Sequence, residues 1–190
     1  MITILGILLA LVGGMSGNFL GNVQLQNDAG EVLSRMTVAQ QSATTENRPV
    51  QVRFYRWDDE ESGRPRWGGV QLWQRDNHSG DYRPRDNMHR FATSLIAMPD
   101  PRHSSLLDLP ERPASPDEGP RVAGATYVAF DFLPDGGTNL RVGSGDDLRE
   151  HWFITFAREV DVERADGAVP ETFVTVQLDP FTGAVRRLQL

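Results

Sequence analysis

At 190 residues the chain has room for one domain with a real core and an appendage, and too little for two comfortable domains. A formal net charge of -7 sets it on average against a nucleic-acid polyanion, so no nucleic-acid partner is expected. It has no cysteine, which excludes a disulfide framework and a thiolate metal site, and all nineteen basic residues are arginine, from which no function follows.

The first forty-six residues, Met1 to Glu46, read as one long helix with two different demands on its surroundings. From Ile2 to Val12 only Thr3 and Gly6 interrupt an apolar run, and no charge precedes Asp28. Ile2, Ile4, Leu5, Ile7, Leu8, Leu9, Leu11 and Val12 form a lipid-like spike. Residues 2 to 14 would rise about 20 Å as a helix against a hydrocarbon layer of about 30 Å, so the spike alone is too short to span. Three readings compete. A secretory signal has an apolar region of this length, but a basic n-region and an A-x-A site are missing. A buried core helix is the second. The third is a membrane helix whose beginning lies upstream, with Met1 an internal start and about seven further apolar residues completing the span. Gly13, Gly14, Gly17 and Gly21 follow, small residues that bend easily in water and let helices approach closely in a membrane.

Further on the pattern changes. Leu25, Ala29, Val32, Leu33, Met36, Ala39 and Ala43 make the stripe of an amphipathic stem that must be buried against something. Glu31 and Arg35 stand four apart in the favourable order for a helical ion pair, and Asn47, Arg48 and Pro49 end the run.

Residues 49–57 alternate, with Val50, Val52 and Phe54 on one side and Gln51, Arg53, Tyr55 and Trp57 on the other, which predicts a strand packed on the stem. A charged turn through Asp58, Asp59, Glu60 and Glu61 leads to a hairpin partner at Gly69 to Trp73. Trp57, Trp67 and Trp73 bracket this hairpin, as core residues or as an aromatic patch for a partner. Residues 75–120 are rich in proline and read as a long variable loop, with a short strand at Phe91 to Met98 and one helical turn at Ser104 to Leu109. Strands are expected at Ala125 to Leu133, Leu140 to Val142, His151 to Ala157, Thr172 to Leu178 and Ala184 to Leu190, the first two joined by an Asp-Gly turn at 134–137. The C-terminal half is then an antiparallel sheet offering one face to the stem.

No catalytic constellation emerges, so neither enzyme activity nor a cofactor is expected. His78, His89, His103 and His151 lack the spacing of a helical metal site, and exposed loop or strand-edge positions are the simpler account. The acids at 58–61 read as a solvated turn rather than an acid/base pair. Gly143, Ser144 and Gly145 fail the nucleophile-elbow pattern, because Val142 and Asp146 stand where it needs glycine. Asp135, Asn139, Asp146 and Asp147 are the one oxygen-rich cluster with any case for a metal, calcium, and their spacing matches no EF-hand.

The run ITILGILLALV, the stem ending VAQQSATTENRPVQVRFYRW, and the motifs FDFLPDGGTNLRV at 130–142 and LDPFTGAVRRLQL at 178–190 together resemble the type IV pilin-like minor pseudopilins of the H-type (GspH/FimT-like) group, close to the Verru/Chthon cassette protein D group. The resemblance is weak between 58 and 124. It implies an α+β, pilin-like fold: a long N-terminal helix, hydrophobic and then amphipathic, packed on an antiparallel β-sheet domain. Residues 1–24 would be the membrane-spanning part, 25–46 the stem and 47–190 the sheet domain with variable loop 75–120. The implied role is a structural subunit of a type II secretion or type IV pilus-like filament. It would be a single-pass inner-membrane protein with its sheet domain in the periplasm or on the filament surface, and its partners other pilin-like subunits and the membrane. The cleavage glycine and fifth-position glutamate of such proteins would lie upstream of Met1. Prepilin peptidase and N-methylation would then concern only the full-length precursor. The alternative is a membrane-anchored surface binding module that recognises a ligand or secreted substrate through loop 75–120.

Overall fold

A computed structural model describes residues 2–60, 62–76, 78–140 and 151–189, with side chains from residue 20 onward. One α-helix, α1, runs unbroken over Ile2–Glu46. It stops where expected: Asn47 takes a left-handed φ of 50°, and the Arg48 N–H donates to the Ala43 carbonyl at 3.1 Å.

Strands β1 (Val50–Asp58) and β2 (Pro65–Arg75) form the hairpin read from the sequence, longer in its second arm. Then come β3 (Tyr82–Pro84), β4 (His89–Arg90), β5 (Leu95–Ala97), a 3₁₀ turn (Ser105–Asp108) and β6 (Arg112–Pro113). The chain ends with β7 (Thr126–Phe132), β8 (Trp152–Arg158), the short helix α2 (Glu159–Arg164), β9 (Phe173–Leu178) and β10 (Val185–Gln189). Among the described residues all pairings are antiparallel, as expected, and they form two sheets. The first has the order β3-β2-β1-β7-β6 with β4 also on β2, and the second the order β10-β9-β8-β5.

Alternation sets what faces the helix. Val50, Val52 and Phe54 stand opposite Phe132, Phe130 and Val128 of β7, and Val52 and Phe54 stand opposite Leu72 and Val70 of β2. These side chains join Ile154 and Phe156 of β8, Val174, Val176 and Leu178 of β9, and the stem in one continuous core. Both sheets therefore close on the helix, the architecture expected for the fold class.

The expectation of a long loop over 75–120 is corrected. Four short strands lie within it, and Pro84 and Pro113 sit in edge strands, where a missing N–H leaves no ladder bond unmade. The strand expected at Phe91 to Met98 shrinks to Leu95–Ala97. Beyond it the 3₁₀ turn continues the edge of β8: the Thr155 and Phe153 N–H groups donate to the Ser104 and Ser105 hydroxyls, each at 3.0 Å, which is why both serines are buried. Helix α2 was not foreseen. The Asp-Gly turn forms, with the Leu133 N–H donating to the Gly137 carbonyl at 2.9 Å, but only the single bridge Phe132 to Thr138 extends it among the described residues, and the continuation to Val142 lies outside them.

The first sheet is also buried on its outer face. Gln51, Arg53, Tyr55, Gln71, Trp73 and Tyr127 are all shielded from solvent there. The three tryptophans divide accordingly: Trp67 belongs to the core beside the stem, Trp73 is buried on the opposite face, and Trp57 is half-buried across Gly68, where a Cβ would come within 2.3 Å of its ring.

Candidate functional site: the docked stem

Leu25, Ala29, Val32, Met36, Ala39 and Ala43 are all 0% exposed, and Leu33 packs half-buried at the margin. Three alanines in that stripe set a close approach between helix and sheets. The expected membrane residues Ile2, Ile4, Leu5, Ile7, Leu8, Leu9, Leu11 and Val12 are helical in backbone, and their side chains lie outside the described residues. Among the described residues no helix is long and apolar enough to cross a membrane.

One polar edge of the stem is tied down by residues 84–94, which leave the edge of the first sheet at β3 and β4 and run antiparallel to the helix toward β5. Glu31 pairs with Arg35 at 2.7 Å, and the Arg35 guanidinium continues to Asp86 and to the Asn87 carbonyl at 3.0 Å. Burial pushes the Asp86 carboxyl above its ordinary value, against the Leu72 N–H and Arg35, which pull it down. One step along, Asp28 is 7% exposed and takes both the His89 imidazole Nε2, at 2.9 Å, and the Ala92 N–H, at 2.7 Å. The Ser94 hydroxyl then donates to Gln24 at 2.7 Å.

His89 lies in an edge strand, β4, as the strand-edge account has it, but it is half-buried and clasps the helix. Its partner sits sixty-one residues earlier, a pairing no local spacing announces. Of the other histidines, His78 and His151 are exposed and His103 is half-buried. In the acidic turn Asp58 and Glu60 are exposed, whereas Asp59 pairs with Arg66 at 3.3 Å.

At the other end of the stem the Gln40 amide reaches the Thr182 carbonyl at 2.7 Å and the Gly136 carbonyl at 3.4 Å. Three stretches that carry the pseudopilin resemblance therefore meet at one side chain. Gly183 explains why its turn needs glycine: its φ is +66°, and a Cβ would come within 2.2 Å of the Gly136 carbonyl oxygen.

Only two of the four calcium candidates lie among the described residues. Asp135 accepts from the Gly137 N–H at 3.0 Å, Asn139 is bonded to Asp131, and Asp146 and Asp147 lie outside the described residues, as do Gly143 to Gly145. Among the described residues no group of three or more His, Asp or Glu side chains could hold a metal.

Sequence reasoning missed the outer face of β1. Arg53 is 5% exposed, and its guanidinium lies 3.9 Å from the Trp73 ring centroid and 4.4 Å from that of Tyr127, rings supplied by the strands on either side. Its Nε donates to Gln51 at 2.6 Å and its Nη1 to Glu118 at 3.2 Å, while the Trp73 indole N–H donates to the Tyr55 hydroxyl at 2.9 Å. A charged side chain on the far side of the alternating stretch 49–57 was the available signal, and alternation does not say what covers that side.

No family model matches the chain, and no curated protein does. Among solved structures it is similar to the minor pseudopilin EpsH from the Type 2 Secretion System of Vibrio cholerae, at 10% identity and a TM-score of 0.48, over 87% of this chain and 97% of that one. It is also similar to the type IV minor pilin FimU of Pseudomonas aeruginosa, at 16% identity and a TM-score of 0.47, over 88% of this chain and 90% of that one.

Proposed function

We propose that this chain is a non-enzymatic, pilin-like subunit that is held in the inner membrane by residues 1–24 and assembles with similar subunits through the same helix. The observation that supports this reading is that one unbroken helix serves two environments. Six of the seven residues in its stripe from Leu25 to Ala43 are fully buried in the chain's own core, while the same helix continues back to an apolar, lipid-like run over Ile2 to Val12. Such a segment is stable in hydrocarbon or against the helices of neighbouring subunits, where small residues such as Gly13, Gly14 and Gly17 allow close packing. Residues 25–46 are the stem and 47–190 the domain displayed in the periplasm or on the filament.

The test is fractionation. The full chain should sediment with membranes, resist extraction by high salt and enter detergent, and a variant lacking residues 1–24 should be soluble and monomeric. A full chain that stays soluble without detergent refutes the anchor. Cysteine pairs introduced along residues 2–12 should cross-link between copies in membranes, and failure at every position refutes assembly through this helix.

A second reading, a surface binding module acting through residues 75–120, is favoured by one observation. A cavity of about 550 Å³ opens between residues 84–88 and residues 117–121, with Gln71 and Trp73 at its floor.

A further inference from the structure

The β6–β7 hairpin has a tip, residues 114–125, that folds back across the outer face of the first sheet. Its neck is closed by the Ala114 N–H donating to the Ala125 carbonyl at 2.9 Å. Among the described residues no backbone hydrogen bond joins 115–121 to the sheet. Three contacts hold it down: Gly119 lies against Tyr55, where a Cβ would come within 2.3 Å of the ring, Arg90 donates to the Pro120 carbonyl at 2.9 Å, and Glu118 pairs with Arg53. Gly119, Arg121 and Gly124 all have positive φ, and Arg121, without glycine's freedom, is strained there.

Arg53 therefore takes its counter-charge from the hairpin tip and not from the sheet it stands on. Among the described residues Glu118 is the one carboxylate within ion-pair distance of it. A buried guanidinium left unpaired is costly, so the site demands an anion whether the tip is closed or open. Rings on both sides leave the guanidinium edge as the open approach, and an edge accepts a planar carboxylate in its own plane. Glu118 lines the cavity described above, and its side chain is 33% exposed, so the carboxylate of the pair is the member that an outside group meets first.

We propose that Arg53, boxed by Trp73 and Tyr127, is a carboxylate-binding site that the chain's own Glu118 occupies when the tip is closed, and that a glutamate or aspartate on an acidic peptide segment of a partner takes its place. The resident ligand defines the occupant: a carboxylate on a short side chain carried by an exposed loop. The proposal rests on the second reading above and not on the membrane anchor, so failure of the fractionation test leaves it standing.

The test is calorimetric titration of the full chain in detergent with a blocked hexaglutamate peptide. Apparent affinity scales with the fraction of molecules whose tip is open, so Glu118→Gln should bind about tenfold or more tightly than the natural chain. Asp117→Asn makes the same charge change beside the same cavity without touching Arg53, and should alter binding by no more than about twofold. Blocked hexaglutamine should not bind. Arg53→Gln should abolish binding, and because that variant also removes a buried side chain, the deciding comparison is between the Glu118 and Asp117 variants. Equal effects of those two substitutions, hexaglutamine binding as well as hexaglutamate, or inorganic phosphate binding Glu118→Gln as tightly as the peptide would each overturn the assignment.

Discussion

Met36 lies at the middle of the stem's buried stripe and is 0% exposed, so Met36→Ala removes side-chain volume where helix and sheets leave no water to refill it. A methionine-to-alanine change in such a site costs about 2–5 kcal/mol, the sum of lost transfer energy and the cavity left behind. For a protein of this size each kcal/mol moves the melting temperature by about 2–4 °C, which predicts a fall of about 4–20 °C. The control is on the same helix two residues on: Val38 is 44% exposed, and Val38→Ala should stay within about 0.5 kcal/mol. Thermal unfolding followed by circular dichroism, with the full chain in detergent, reads both. A Met36→Ala shift no larger than that of Val38→Ala would refute the placement of the stem against the sheets.

Asp28→Ala leaves the Ala92 N–H without its acceptor and frees His89, and should cost about 1–3 kcal/mol. Hydrogen exchange at the Ala92 amide should accelerate, and an unchanged rate would mean that the docking of residues 84–94 on the stem does not depend on Asp28. Alkaline pH tests the outer face. Burial pushes the Tyr55 hydroxyl up to about 12, so the folded state holds its proton where the unfolded chain has released it. Stability from this group is whole below about pH 10 and falls as pH rises from there through 12, by about 3 kcal/mol in all. Burial also raises Tyr82, with Asp131 beside it adding to the effect. Tyrosinate absorbance should lag for these two rings until the protein unfolds, and their ionisation near pH 10 in the folded state would contradict the burial.

The sequence determined what local periodicity can encode. The helix over 2–46, the stripe from Leu25 to Ala43, the Glu31–Arg35 pair, the stop at Asn47 and the alternation of β1 are all repeats of 3.6 or 2 residues, or single capping steps. The short strands within 75–120 were illegible because they are edge pieces of two or three residues held by tertiary pairing, too short to show a period. The same limit hid the site chemistry. Asp28 finds His89, Gln40 finds two turns from the far end of the chain, and Arg53 finds Glu118 sixty-five residues on, none within any local window. Alternation placed Gln51, Arg53 and Tyr55 on the face away from the stem, and no local pattern says what lies over that face. Tertiary structure alone decided that a hairpin tip would cover it, turning an ordinary strand arginine into a buried cation that must always have a partner.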